Sequence, residues 1–302
     1  MPYVIGIDAG GTKTVGLLTD ASGELRSRAR GGGANLLVHG ELEVEKVIYQ
    51  ILEDLEPPEP VVSVCVGIAG ADRPGQSELV RAMLRRLGLR TGVRVVNDAH
   101  VALVAGAPAG LGIVVVAGTG SIAYGVDASG NSARSGGWGY LLGDEGSAFW
   151  LGHAALRAGI RAADGRGPET SLYGRIGDRL GLRGAAELVA WFYDQELSRH
   201  RVAELASLVE EAAGDGGETA VALLDQAAYH LARAAGAVEK QLRFDADYPL
   251  VLAGGVFKAC PSVADRFVES FENEGAMVSV LEGDPAAGAV TLALQELESA
   301  GS

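Results

Sequence analysis

Asp8, Gly10, Gly11, Thr12, Lys13 and Thr14 follow directly on the apolar run Tyr3-Val4-Ile5-Gly6-Ile7. Glycines let backbone N–H groups face a bound anion, while the Thr12 and Thr14 hydroxyls and the Lys13 ammonium add donors for phosphate oxygens. Asp8, at the tip of the run, is placed to hold a hydrated divalent cation. The set suits a nucleotide with magnesium. Taken alone, the stretch reads equally well as a β-hairpin with glycines in its turn. It is not a P-loop: Gly6 and Gly11 have the spacing, but Thr12 stands between Gly11 and Lys13, where that motif has Gly-Lys adjacent.

A second copy shifts that balance. Moving the chain by 107 places without a gap lays Gly118-Thr119 on Gly11-Thr12, Ser121 on Thr14, and Asp127-Ala128-Ser129-Gly130 on the identical Asp20-Ala21-Ser22-Gly23. The apolar runs Ile113–Ala117 and Ile122–Val126 then fall on the first two runs of the chain. Strand, glycine loop, strand and turn occur twice, so each half offers a phosphate loop, the second through Gly118, Thr119 and Gly120. This shift sets Val115 opposite Asp8, leaving a metal-directed carboxylate in the first copy alone. Gly118-x-Gly120-x-x-Ala123 also fits the dinucleotide fingerprint, but that fingerprint opens a helix and Ile122–Val126 reads as a strand.

Three more places could do chemistry. Asp98, in the pair Asn97-Asp98, sits where a strand gives way to a helix, and position alone favours a helix N-cap. Lying between two phosphate loops, it gains a second reading, as a carboxylate that orients a hydroxyl and accepts its proton during phosphoryl transfer. Asn35, in the glycine-rich stretch Gly31-Gly32-Gly33-Ala34-Asn35, is by position a turn residue. Gly254 and Gly255 follow the apolar run Leu250–Ala253 and read by themselves as a strand-to-helix turn.

The elements that must position these residues alternate. Leu42, Val47, Ile48, Ile51, Leu52 and Leu55 recur at helical spacing over Glu41–Leu55, and Pro57, Pro58 and Pro60 end that helix. Val61–Ile68 reads as a buried strand, Gly75–Leu87 as a helix and Val93–Val96 as a strand. After the second hairpin the chain is mostly helical from Ala148 to Leu242, with breaks at Gly165–Pro168 and Gly214–Gly217. A helix over Phe257–Asn273, a short strand over Ala276–Leu281 and a terminal helix over Pro285–Glu298 close it. This order predicts an α/β protein with a mixed, largely parallel sheet. Val101–Val126 carries no formal charge over 26 residues, longer than a membrane span needs, but its glycines and Pro108 make it helix end, loop and buried strand.

At 302 residues and 48% hydrophobic composition the chain fits two ordinary domains. A net charge of −14, with no basic run to offset it, argues against nucleic acid as a partner. Cys65 and Cys260 form neither a disulfide framework nor a zinc motif and are expected as buried thiols. With no basic segment before a long apolar stretch at the N-terminus, we expect a cytoplasmic protein with no membrane partner.

Five motifs in order, Asp8–Thr14, Asn97-Asp98, Ala117–Ser121, Gly136–Ser147 and Leu252–Phe257, resemble those of the BadF/BadG/BcrA/BcrD ATPase family, within it most of all the N-acetylglucosamine kinases. The resemblance implies an α/β actin-like ATPase (sugar kinase) fold of two similar domains around a central cleft. Residues 1–113 with the terminal helix 285–302 would form one domain, and 114–284 with a helical insertion the other. It implies ATP-dependent phosphorylation of the 6-hydroxyl of an amino sugar, N-acetylglucosamine first, with glucosamine or a broad hexose range as alternatives, and Mg²⁺ near Asp8. Asp98 would be the catalytic base. Gly10, Gly11, Thr12, Lys13, Thr14, Gly118, Thr119, Gly120, Gly254 and Gly255 would hold ATP, and Asn35, Asp98, Ser121, Gly137, Trp138, Gly139 and Asp144 the sugar. A homodimer is expected. Ile122 departs from the animal N-acetylglucosamine kinases, where Asn is expected. The family also includes ATPase activators of radical dehydratases, but Ile113–Gly125 lacks the cluster-ligating cysteine they use. A sugar-sensing repressor would need a helix-turn-helix, and none precedes Tyr3.

Overall fold

In the computed structural model, which describes residues 2–58, 60–71, 73, 75–89 and 92–300, the Val- and Ile-rich runs form the strands of two sheets. Met1, Gly301 and Ser302, at the ends of the expected first domain, lie outside the described residues. The first half holds β1 (Tyr3–Ala9), β2 (Lys13–Asp20), β3 (Leu25–Gly32), α1 (Leu36–Leu55), β4 (Val61–Ile68), α2 (Gln76–Arg86), β5 (Val93–Val96) and α3 (Asp98–Gly106). The second holds β6 (Gly112–Ala117), β7 (Ser121–Val126), β8 (Ser132–Gly136), α4 (Ala148–Ala163), α5 (Leu172–Leu180), α6 (Ala185–Phe192), α7 (Arg199–Ala203), α8 (Ala206–Gly214), α9 (Glu218–Glu239), β9 (Tyr248–Ala253), α10 (Val256–Ala259), α11 (Ser262–Ser270), β10 (Ala276–Val280) and α12 (Ala286–Ala300).

The strand orders are β3-β2-β1-β4-β5 and β8-β7-β6-β9-β10, the same order twice, so the repeat in the sequence is a repeat of topology. Each sheet has two antiparallel pairs on its hairpin side and two parallel pairs beyond. The sheets are therefore evenly mixed rather than largely parallel, because two consecutive hairpins occupy one flank of each. The duplicated turns use the same device: Asp20 Oδ1 accepts from the Ser22 and Glu24 N–H groups at 2.9 and 3.1 Å, and Asp127 Oδ1 from those of Ser129 and Asn131 at 2.9 and 3.0 Å.

Strand pairing corrects one alignment. Ala9 faces Thr14 across the first hairpin and Ala117 faces Ser121 across the second, so the second loop is one residue shorter. Asp8 pairs with Val15 and Val116 pairs with Ile122, which makes Val116, not Val115, the counterpart of Asp8. The carboxylate still belongs to the first copy alone. The expected helix over 257–273 is also divided: Cys260 leaves helical geometry at φ −133°, as the residue before a proline tends to, and α11 starts anew after Pro261. In α1 the helical geometry breaks at Gly40, at φ 76°, so the helix expected from Glu41 is preceded by a separate turn.

The helix α3 is apolar on both sides because it lies between the two sheets. Ala99, Ala102 and Leu103 pack with Val114, Val251 and Ala253 of the second sheet, while Val101 and Val104 pack with Val4 and Cys65 of the first. This accounts for the long uncharged stretch, and no described helix is long and apolar enough to cross a membrane. The last helix, α12, returns to the first sheet and crosses α3 at Gly288, where an added Cβ would stand 2.1 Å from the Val101 carbonyl oxygen. Gly288→Ala is accordingly expected to destabilise the protein by about 1–3 kcal/mol, read as a lower urea midpoint at unchanged m-value.

Candidate active site

The N-terminus of α3 places both members of the pair Asn97-Asp98. Asn97 is the N-cap, its Oδ1 accepting from Ala99 N–H at 2.9 Å, and Asp98 is the first helical residue, its Oδ1 also 3.0 Å from that N–H. The cap is thus supplied by the neighbour, and Asp98 stands where the helix dipole favours a negative charge.

Asp8 ends β1 on the same side. It is 8% exposed, and its carboxyl accepts no hydrogen bond from a described residue. Burial, then the charges of Asp98 and Asp284, push its pKa up to about 8 against the opposing pull of Lys13. Asp284 was not singled out in the sequence. It caps α12, its Oδ1 accepting from Ala286 N–H at 3.2 Å, and pairs with Arg28 on β3. The signal was present as an Asp-Pro pair opening a helix, but that signal announces a cap, not a neighbour of Asp8. Two helix N-termini and a buried carboxyl therefore converge at the end of β1, a setting that favours phosphate on the helix ends and a cation on the carboxylates.

The first glycine loop is held from two sides. Gly10 N–H donates to Lys13 O at 3.1 Å, and Ala34 N–H donates to Gly10 O at 2.9 Å. Thr14 is fully buried and its hydroxyl donates to Gly32 O at 2.8 Å, so Thr12 and Lys13 are the residues whose side chains reach out. Gly33 presses so closely on the loop that a Cβ there would stand 2.3 Å from Gly11 O. Asn35 follows at once, its carbonyl accepting from Val38 and His39, so the Asn35 turn and the phosphate loop form one unit. Gly33→Ala is expected to displace Gly11 and raise KM for ATP on the order of tenfold with kcat less affected, measured by initial rates against ATP.

The second loop is built into a tighter knot. Asp144 has φ 61° and is buried; its carboxylate accepts from the Ser121 and Gly139 N–H groups, while burial, the larger influence, raises its pKa. Ser121 Oγ donates to Glu145 O at 2.8 Å, and Gly137 N–H donates to Ser121 O at 3.0 Å. Gly137 also rests on Ile122, whose Cδ1 would lie 2.9 Å from an added Cβ. Trp138 is 58% exposed under the Arg134 guanidinium, 4.5 Å from its ring centre. The N-terminus of α4 reaches the loop through Ala148 N–H to Gly118 O at 2.8 Å. Gly254, at φ 112°, packs against the Ala117 backbone, which puts the turn before α10 beside this loop. The two loops meet: Thr12 Oγ1 and Thr119 Oγ1 are 2.9 Å apart.

Among the described residues no group of three His, Cys, Asp or Glu is arranged to hold a metal ion. A cation here would arrive with phosphate oxygens and water completing its shell, and Asp8, buried without a hydrogen-bond donor, fits as its protein contact. Both cysteines are buried in separate cores, Cys65 with Val4 and Cys260 with Val256, and burial pushes both thiols up to about 12.

The family model described as BadF/BadG/BcrA/BcrD ATPase matches residues 5–293. The chain belongs to this ATPase family. It is 34% identical to an N-acetylmuramic acid/N-acetylglucosamine kinase of Clostridium acetobutylicum, over 99% of this chain and all of that one. It is also 34% identical to an N-acetyl-D-glucosamine kinase of Dictyostelium discoideum, over 96% and 97% of the two chains. A solved structure from Chromobacterium violaceum, provisionally named an N-acetylglucosamine kinase, superposes with a TM-score of 0.78 at 27% identity, covering 97% and 99% of the two chains. The fold is the actin-like sugar-kinase fold that the resemblance implies, and membership in an ATPase family implies the use of ATP.

Proposed function

We propose that this ATPase-family member is a kinase that transfers the γ-phosphoryl group of ATP to the 6-hydroxyl of N-acetylglucosamine. The observation that carries the reading is Asp98, a carboxylate in the first turn of a helix shared by both sheets, next to Asp8 and flanked by two glycine loops that touch. The names of the relatives at 34% identity support the substrate class.

In this reading residues 1–113 with 285–302 and residues 114–284 act as two lobes around ATP. Gly10, Gly11, Thr12 and Lys13 hold phosphate from one side and Gly118, Thr119 and Gly120 from the other, while Gly254 and Gly255 receive the adenosine; Thr14, buried with its hydroxyl donated to Gly32 O, braces the loop instead of donating to phosphate. Asn35, Ser121, Gly137, Trp138, Gly139 and Asp144 hold the sugar, with Asp144 kept in place by the Ser121 and Gly139 N–H groups. Asp98 accepts the hydrogen bond of the sugar hydroxyl, aligns it for in-line attack and takes its proton as the P–O bond forms. Mg²⁺ at Asp8 would neutralise charge on the phosphate oxygens.

One observation favours a second sugar. Ile122 offers no hydrogen bond to an acetamide and is covered by Gly137, so the acetamide must be satisfied by backbone groups or by the Asn35 turn, at a cost of about 1–3 kcal/mol if it is not. Measuring kcat/KM for N-acetylglucosamine, glucosamine and glucose side by side tests the choice. N-acetylglucosamine is expected to lead; a tenfold advantage for glucose, about 1.4 kcal/mol, would make the enzyme a broad hexokinase.

A further inference from the structure

The helices inserted after the second glycine loop line an open pocket of about 260 Å³ that the proposed reaction does not use. Its floor is apolar, with Leu156 of α4 and Leu188 of α6 each 5% exposed. On one wall Phe192 lies almost parallel to His153, ring centres 5.5 Å apart and planes 19° apart. Tyr193 stands edge-on to Phe192 and is 78% exposed. The rim is formed by Arg157, Arg161 and Arg166. Asp164 pairs with Arg166 at 2.6 Å and also lies within electrostatic reach of Arg161, while neither Arg157 nor Arg161 forms a hydrogen bond or ion pair with a described residue.

Arg157 and Arg161 are four positions apart on α4, so their side chains stand over the same face. In a chain of net charge −14, two guanidinium groups that form no ion pair among the described residues, above an apolar floor, suit one dianionic head with an apolar body. A phosphate monoester carries that charge, and the parallel rings beside it match a flat body better than an alkyl chain. The pocket is distinct from the cleft: Arg157 lies ten residues beyond Ser147 at the start of α4, about 15 Å along the helix. We propose that this pocket binds a phosphate monoester with a flat apolar body, the phosphate between Arg157 and Arg161 and the ring against Phe192 and Tyr193. The volume accommodates one ring and its phosphate.

The test is calorimetric titration of phenyl phosphate into protein already saturated with magnesium and a non-hydrolysable ATP analogue, which keeps the probe out of the nucleotide cleft. Saturable binding of one equivalent is expected. Both arginines are exposed, so Arg157→Gln with Arg161→Gln leaves the packing unchanged and is expected to weaken binding about tenfold or more. Inorganic phosphate, lacking the ring, is expected to bind about tenfold more weakly than phenyl phosphate, and Tyr193→Ala to narrow that difference. No saturation by about 5 mM, equal binding by the double variant, or equal affinity for inorganic phosphate would each overturn the assignment.

Discussion

Asp98→Asn is expected to lower kcat about 10²-fold or more while KM for sugar and ATP stays within about threefold. Asparagine keeps a hydrogen-bonding oxygen toward Ala99 N–H, and the cap itself belongs to Asn97, so α3 and the packing on both its sides should survive. What is lost is the group that accepts the hydroxyl proton. Steady-state rates with N-acetylglucosamine, and a melting temperature within a degree or two of the parent as the folding control, read the effect. A variant that retains full rate would remove Asp98 from the chemistry.

Asp8→Asn should separate stability from activity. In the folded, cation-free protein the Asp8 pKa is raised from 3.8 to about 8. Below the lower value both states are protonated and Asp8 contributes nothing. Between the two values the unfolded chain ionises Asp8 while the folded chain holds the proton, so stability falls as pH rises through that window. Asparagine removes this penalty. The variant should therefore be more stable than the parent without cation at pH 8, by on the order of a few kcal/mol, with the gain vanishing near pH 4. Its turnover with MgATP should be largely lost, and added magnesium with nucleotide should stabilise the parent far more than the variant. Urea unfolding at the two pH values checks the first point and initial rates the second; equal stability of parent and variant at pH 8 would contradict the burial of an uncompensated carboxyl.

The duplicated hairpins were legible because Thr14 and Ser121 stand at one spacing with the turns that begin at Asp20 and Asp127, and those two turns do the same local work in both halves. The one-residue difference between the glycine loops was not, since an ungapped shift keeps the loops aligned and pushes the mismatch into the strands, where Val115 and Val116 are interchangeable by composition. Asp98 and Asp8 could be singled out as candidates from residue type and position, and the structure brings them together at the end of β1. Asp284 could not: its approach to Asp8 depends on α12 returning to the first sheet, a long-range packing choice carried by small residues such as Gly288 and Ala289 that look like any helix interior. The same holds for Asp144, whose left-handed backbone and hydrogen bonds from Ser121 and Gly139 arise only when the second loop folds back on β7. Cys260-Pro261 offered a clear break within the helix expected over 257–273, and the proline did divide it.

Transfer of the γ-phosphoryl group to the 6-hydroxyl of N-acetylglucosamine is to be read by phosphorus and carbon NMR of a reaction containing the protein, MgATP and the sugar. One new phosphate monoester resonance is expected, coupled to carbon 6 of the sugar and growing in step with ADP, and neither signal when Asp98→Asn replaces the parent at the same concentration and time. ADP formed at the same rate without sugar, or phosphate appearing on the anomeric carbon instead, would contradict transfer to that hydroxyl.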